Sequence, residues 1–286
     1  MSTPVDIKQQ VRQFYDQIGW QEVGEGVYQN ARYEDLRPVS REYIQRCHRR
    51  VARHLEPNGR LLLDAGSGPI QYPEYLEYSR GYRYRVCADI SIQALQEARR
   101  RIGEHGLFVV CDIANLPFKA EAFEGVVSLH TIHHLPEEEH LRAYTELYRV
   151  LAPGRSAVVV NGWPESPLMK RFEPLMRLSG RLQRLFARLS GRSPVVSEEA
   201  REAEKPSPKG TFIRRHGVEW VKGELAAIMP LQILVWRSVS VRFLRSLVHP
   251  WLAGRYWLRL LYWLEERWPV WFGENGQYPL IVIRKP

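Results

Sequence analysis

Leu61-Leu62-Leu63-Asp64-Ala65-Gly66-Ser67-Gly68-Pro69 decides the fold of this 286-residue chain. Three aliphatic residues make a buried strand, an acid ends it, and two glycines turn the backbone sharply. A helix-like segment follows over residues 72–79. Glycine lets backbone approach a ligand closely and take positive φ. In open α/β sheets, ligands bind where such loops leave the carboxyl ends of strands. One Gly-x-Gly turn is weak evidence by itself. Here the arrangement recurs: Asp89 ends a second strand over 85–88, and Asp112 ends a third over 108–111.

Working outward, the pattern predicts a helix over 92–102, a fourth strand over 125–129 and a helix over 137–151. Ala152-Pro153-Gly154 reads as a break, and 157–160 as a fifth strand. Short apolar runs alternating with amphipathic helices indicate parallel βαβ units. The fold class is α/β: a doubly wound, Rossmann-like, mostly parallel sheet with an N-terminal helical cap and a helical lid insertion. The expected organisation is a cap over 1–58, a cofactor-binding core over 59–163 and a lid or substrate insertion over 164–217. Residues 218–286 complete the core and carry an aromatic helical insertion. Within the last two parts, an arginine-rich helix is read over 164–193 and a polar loop over 197–209. A helix follows over 218–228, a strand over 232–239, an aromatic helix over 251–268 and a last strand over 280–284.

Composition narrows the class. With 44% hydrophobic and 26% charged residues, the chain is globular rather than disordered. A formal charge of +9 favours an anionic partner, whether nucleic acid, acidic lipid or acidic substrate. Cys47, Cys87 and Cys111 lack metal-ligand spacing, so no metal is expected. A reducing, cytoplasmic setting fits. The polar N-terminus has no signal-peptide core. The longest uncharged apolar stretch, about 225–236, is too short to span a bilayer and contains Pro230.

The glycine turn with Asp64, Asp89 and Asp112 suits a nucleoside ligand with a charged tail. An acid about 20 residues after such a turn accepts hydrogen bonds from ribose hydroxyls. An acid after the third strand can hold an adenine amino group, with Ile113 packed on the ring. A nicotinamide dinucleotide competes, but it needs a third glycine where this chain has Gln71.

The order DAGSGP, CADIS, CDIANLPF, FEGVVSLHTIHHL and LYRVLAPGR resembles class I S-adenosylmethionine-dependent methyltransferases. Within them it is similar to the small-molecule branch of quinone-pathway and natural-product enzymes. The resemblance covers about 14–161. It implies S-adenosyl-L-methionine as cofactor, with Gly66, Ser67 and Gly68 under its methionine part and Asp64 orienting its amino group. Asp89 and Ile90 would hold the ribose, Asp112 and Ile113 the adenine, and His130 would sit near the sulfonium. A helix bearing Phe14 and Tyr15 would close over the cofactor. Two residues depart from the family pattern: Ile70 replaces the third glycine, and Phe123-Glu124 replaces Phe-Asp.

A sulfonium is already an activated methyl donor, so positioning supplies much of the rate. Where the acceptor needs a base, His130, His133 and His134 are the candidates, with Tyr15 and Tyr28 behind them. A histidine at such a turn also commonly only bonds backbone. Ser128-Leu129-His130-Thr131 is not an Asn/Asp-Pro-Pro-aromatic motif, and no Pro-Cys nucleophile is present. Nucleic acid is therefore disfavoured as a partner. The expected acceptor is a small apolar or lipid-linked molecule. The alternatives are an RNA methyltransferase and a catalytically inactive cofactor-binding scaffold.

The segment 170–192 has an apolar face ringed by arginines, the form of an interfacial helix. It reads as a core-packed lid, a membrane-touching lid or an anion-binding surface. The aromatic stretch 251–271 reads first as core and pocket wall, and second as a peripheral membrane contact.

Overall fold

A computed structural model describes residues 3–20, 22–24, 27–28, 34–189 and 211–286. Thr3 caps helix α1 (Pro4–Phe14), accepting from the Asp6 N–H, while Asp6 accepts from the Thr3 N–H. This reciprocal capping starts the helix at Pro4. A short hairpin, β1 (Glu22–Gly24) and β2 (Val27–Tyr28), and helix α2 (Pro38–Arg49) follow.

The central sheet begins with β3 (Gly59–Ala65), β4 (Tyr82–Asp89) and β5 (Gly106–Val110), with helix α3 (Ile92–Ile102) between the last two. Next come β6 (Phe123–Leu129), helix α4 (His140–Val150) and β7 (Leu151–Val160). Helix α5 (Pro167–Leu189) leaves the sheet, and a short α6 (Val218–Trp220) runs on as a π turn. Then come β8 (Leu231–Arg237), α7 (Val241–Leu247), α8 (Gly254–Arg267), α9 (Pro269–Asn275) and β9 (Tyr278–Arg284).

The strand order is β5-β4-β3-β6-β7-β9-β8, parallel except for β9, which runs antiparallel to β7 and β8. The chain winds outward from β3 in one direction and from β6 in the other. The crevice outside the carboxyl ends of β3 and β6 is thus the switch point where α/β sheets bind ligands. Alternating side chains fill both faces: Leu63, Val86, Val126 and Val159 on one, Leu62, Cys87, Val127 and Val158 on the other.

Three readings need correction. Ala152-Pro153-Gly154 does not end the fourth repeat before a separate strand. Phe123 pairs with Leu151 and Gly125 with Ser156, so the segment bulges within β7. Gly154 takes φ +72° there, and its N–H bonds Lys285 O at 2.9 Å. Second, the aromatic stretch is not a pocket wall. Leu258, Tyr262 and Glu265 face inward, whereas Trp251, Tyr256, Trp257 and Trp263 are exposed. The inward face meets α2 through a buried Arg50–Glu265 pair at 2.9 Å, with Tyr43 Oη donating to Glu265 at 2.7 Å. Third, α7 and α9 stand where no helix was expected. The polar loop over 197–209 lies outside the described residues.

Candidate active site

At the carboxyl edge of the sheet lies a cavity of about 550 Å³. Its floor is the turn after β3, where Gly66 (φ +75°) and Gly68 (φ +53°) take left-handed conformations. A Cβ on Gly66 would fall 2.1 Å from Thr131, and one on Gly68 would be 3.0 Å from Trp20. Gly66 is thus required by space as well as by backbone, and Gly68 chiefly by backbone. Ile70, in place of a third glycine, is itself left-handed (φ 57°) and fully buried. A β-branched residue pays strain for that conformation.

The three acids line this cavity, each already engaged. Asp64 is buried in a forked pair with Arg85, whose Nε bonds Asp64 Oδ2 at 3.0 Å. Arg85 also donates to Tyr75 O at 2.6 Å. Asp89 accepts from Gly68 N–H at 2.9 Å and from Ser91 N–H at 2.8 Å, which fastens the glycine turn to the end of β4. Burial pushes its carboxyl up to about 6, against the downward pull of those two N–H groups. Asp112 accepts from Lys8 Nζ at 2.6 Å and from Ala114 N–H at 2.9 Å. It is held below the usual carboxylate range: its hydrogen bonds, led by Lys8, outweigh burial. Lys8 also reaches Glu139 at 2.5 Å, so α1 is pinned across the cavity. Phe14, Tyr15, Ile90 and Ile113 complete this end, with Ser67 in the turn.

His130, His133 and His134 come together after β6. His130 has φ 57°, and its ring meets Trp236 and Tyr278 edge-on, with centroids at 5.0 and 5.8 Å. His133 Nδ1 lies 3.1 Å from Asn161 Oδ1. His134 Nδ1 lies 2.9 Å from Phe212 O and can only donate there, so its Nε2 accepts the Tyr15 hydroxyl at 2.8 Å. Burial lowers all three: His130 to about 3, His134 to about 4, and His133 well below its ordinary value. All three are neutral at pH 7. The side chain of Tyr28 lies outside the described residues.

The far end of the cavity was missed by sequence reasoning. Trp236 and Arg237 end β8, Tyr278 starts β9, and Arg215 and Thr211 arrive from the segment before α6. Arg237 is buried, pairs with buried Glu34, and stacks on Tyr278 at 4.6 Å. No local motif announces these residues, because they meet only where β8 and β9 join the sheet. Among the described lid residues, 211, 213 and 215 line the cavity and α5 does not. No group of three or more His, Cys, Asp or Glu able to hold a metal occurs among the described residues.

Residues 63–159, from the second half of β3 through nearly all of β7, match the methyltransferase domain family. Over those residues, about a third of the chain, it is similar to a methyltransferase domain. The mouse protein described as probable tRNA methyltransferase 9B is 31% identical to it over 144 residues, 49% of this chain and 30% of that protein. Phthiotriol/phenolphthiotriol dimycocerosates methyltransferase 1 of Mycobacterium ulcerans is 31% identical over 116 residues, 40% of this chain and 42% of that one. The chain thus spans less than half the length of these relatives. The crystal structure of the [4+2]-cyclase SpnF superposes with a TM-score of 0.52 at 19% identity, covering 98% of this chain and 97% of that one. That protein is a cyclase, so the shared fold alone does not decide the reaction of a methyltransferase domain.

Proposed function

We propose that the protein transfers a methyl group from S-adenosylmethionine to a small acceptor held in the same cavity. The observation that carries this reading is the continuity of one cavity from Asp89 and Asp112, over the Gly66–Gly68 turn, to the aromatic wall of Trp236 and Tyr278. The residues fit the cofactor. The left-handed glycines leave room over the turn, and Asp89 is a desolvated acceptor for ribose hydroxyls. Asp112 and Ile113 would hold the adenine, and the Gly66-Ser67-Gly68 turn with Asp64 the methionine part. When bound, the cofactor supplies an activated methyl group on a sulfonium. Tyr15 and the three histidines would border the reacting end and exclude water. With their depressed proton affinities, the histidines suit orientation better than proton abstraction. Calorimetric titration with S-adenosylmethionine and S-adenosylhomocysteine tests the reading. Micromolar binding of both is expected, and binding of neither to folded protein would end it.

The acceptor is read as a small apolar or lipid-linked molecule reached from a membrane surface. What supports this is the exposed stripe Trp251, Tyr256, Trp257, Leu260, Trp263 and Trp268, flanked by Arg255, Arg259 and Arg267. Tryptophan, tyrosine and arginine suit the lipid–water boundary. No helix among the described residues is long and apolar enough to cross a membrane. RNA is the second reading, favoured by the relatives named as tRNA methyltransferases and by the charge of +9. An RNA acceptor would have to insert a single unstacked nucleotide into this cavity. Incubation with labelled S-adenosylmethionine and either lipid extract or tRNA separates the two by which fraction gains label.

A further inference from the structure

The two ends of the cavity carry opposite charge. Asp64, Asp89 and Asp112 line the half under β3, β4 and β5, with Lys8 paired to Asp112. Across the sheet, four arginines line the other half: Arg215, Arg237, Arg242 and Arg245, against one acid, Glu34. Three of the four are engaged. Arg237 pairs with Glu34, Arg242 with Glu173, and Arg245 donates to Glu34 O at 2.9 Å. Arg215 has no ion pair or hydrogen bond from its guanidinium to any described residue, and its Nε is buried without an acceptor. It lies over Gly162, just past the end of β7, where an added Cβ would stand 3.4 Å from Nε and 3.3 Å from Tyr278.

Neighbouring donors are in the same condition. Trp236 Nε1 and Arg237 Nε are also buried with no acceptor among the described residues, in side chains only 1% and 2% exposed. Each of these groups donates and cannot accept. A buried N–H without an acceptor costs on the order of 1–3 kcal/mol. A ligand rich in acceptor oxygens would relieve several such groups at once, and a carboxylate or phosphate also answers the uncompensated charge of Arg215.

We propose that the acceptor end of the cavity is an anion subsite centred on Arg215 and flanked by Arg237, which binds a carboxylate or phosphate on a planar acceptor. The planar part would lie along His130 and Tyr278, which line the cavity, while Arg237 already covers one face of Tyr278 and His48 stacks on Trp236. This rests on the methyl-transfer reading and narrows its acceptor to a largely apolar, planar body that carries one acidic group, but the subsite itself can be tested without catalysis.

The probes are benzoate, phenyl phosphate and the neutral isostere benzamide, titrated calorimetrically into the full chain, alone and saturated with S-adenosylhomocysteine. At least one anion should bind tenfold or more tightly than benzamide. Preference for benzoate identifies a carboxylate site, and preference for phenyl phosphate a phosphate site. Arg215→Gln should erase the preference while leaving S-adenosylhomocysteine affinity within twofold, and Arg215→Lys should retain part of it. Because the Arg215 guanidinium bonds no other described residue, loss of folding is not expected, and cofactor-product binding reports on it directly. Equal binding of all three probes, or an anion preference that survives in Arg215→Gln, overturns the subsite. Anion preference in a protein that binds no S-adenosylhomocysteine would keep the subsite and remove the methyltransferase reading. Product binding without anion preference would do the reverse.

Discussion

Asp89→Asn is the perturbation whose consequences the structure specifies most fully. Both oxygens of Asp89 hold backbone N–H groups, yet burial raises its carboxyl to about 6. An acid with a raised pKa in the fold binds its proton more tightly when folded. Its stabilising contribution is therefore complete below the unfolded value near 4 and is lost as pH rises through about 6. The total is roughly 3 kcal/mol, of which about 1.4 kcal/mol disappears between pH 5 and 7.5. At neutral pH the ionised Asp89 is thus a burden on the apoprotein. The asparagine variant escapes that burden but turns an NH2 toward Gly68 or Ser91 N–H, losing one hydrogen bond at about 1 kcal/mol. Relative to wild type, its melting temperature should rise by about 3 °C between pH 5 and 7.5. Its affinity for S-adenosylhomocysteine should fall tenfold to a hundredfold at pH 7.5, since hydrogen bonds to an ionised acceptor contribute about 1.5–3 kcal/mol each. Thermal melts and calorimetry at pH 5, 6 and 7.5 measure both quantities. A melting difference flat across that range, or affinity within twofold of wild type, would refute the argument.

Gly66→Ala should lower the melting temperature by more than 5 °C and weaken S-adenosylhomocysteine at least tenfold, because its Cβ meets Thr131 at 2.1 Å in a left-handed turn. Melts and titration of the same sample check it. Lys8→Met removes the links from α1 to Asp112 and Glu139. Limited proteolysis should then cut within residues 4–20 at least fivefold faster, with S-adenosylhomocysteine slowing the cut. Replacing Trp257 and Trp263 by Glu on the exposed stripe should reduce flotation with anionic vesicles at least tenfold and leave the melting temperature within 2 °C. Wild-type protein left wholly in the pellet fraction would remove the membrane contact.

Much of the sheet was legible because its signals are local. Residues 92–102 form the helix that the sequence predicts, capped by Ser91, and the acids of β4 and β5 stand at or just beyond the strand ends. Apolar runs, glycine turns and caps act within a few residues, so their reading needs no partner. The glycine turn is of the same kind, since its backbone angles are demanded where it stands. The aromatic helix α8 was misread because hydrophobic residues occupy both of its faces. Periodicity cannot choose between them, and the buried Arg50–Glu265 pair, which turns Glu265 inward and the tryptophans outward, joins residues 215 positions apart.

The candidate site divides along the same line. By itself the sequence determined the acids, the glycine turn and the histidines after β6, because all follow strands whose ends the pattern marks. Only the tertiary structure decided what holds or faces them. Lys8 reaches Asp112 across 104 residues, Arg237 reaches Glu34 across 203, and Arg215 stands beside Gly162 with no ion-pair partner among the described residues. An ion pair or an unmatched charge is a property of distance in space and of exclusion from water. Neither quantity is written in the order of residues until β9 inserts between β7 and β8 and brings the two halves of the cavity together.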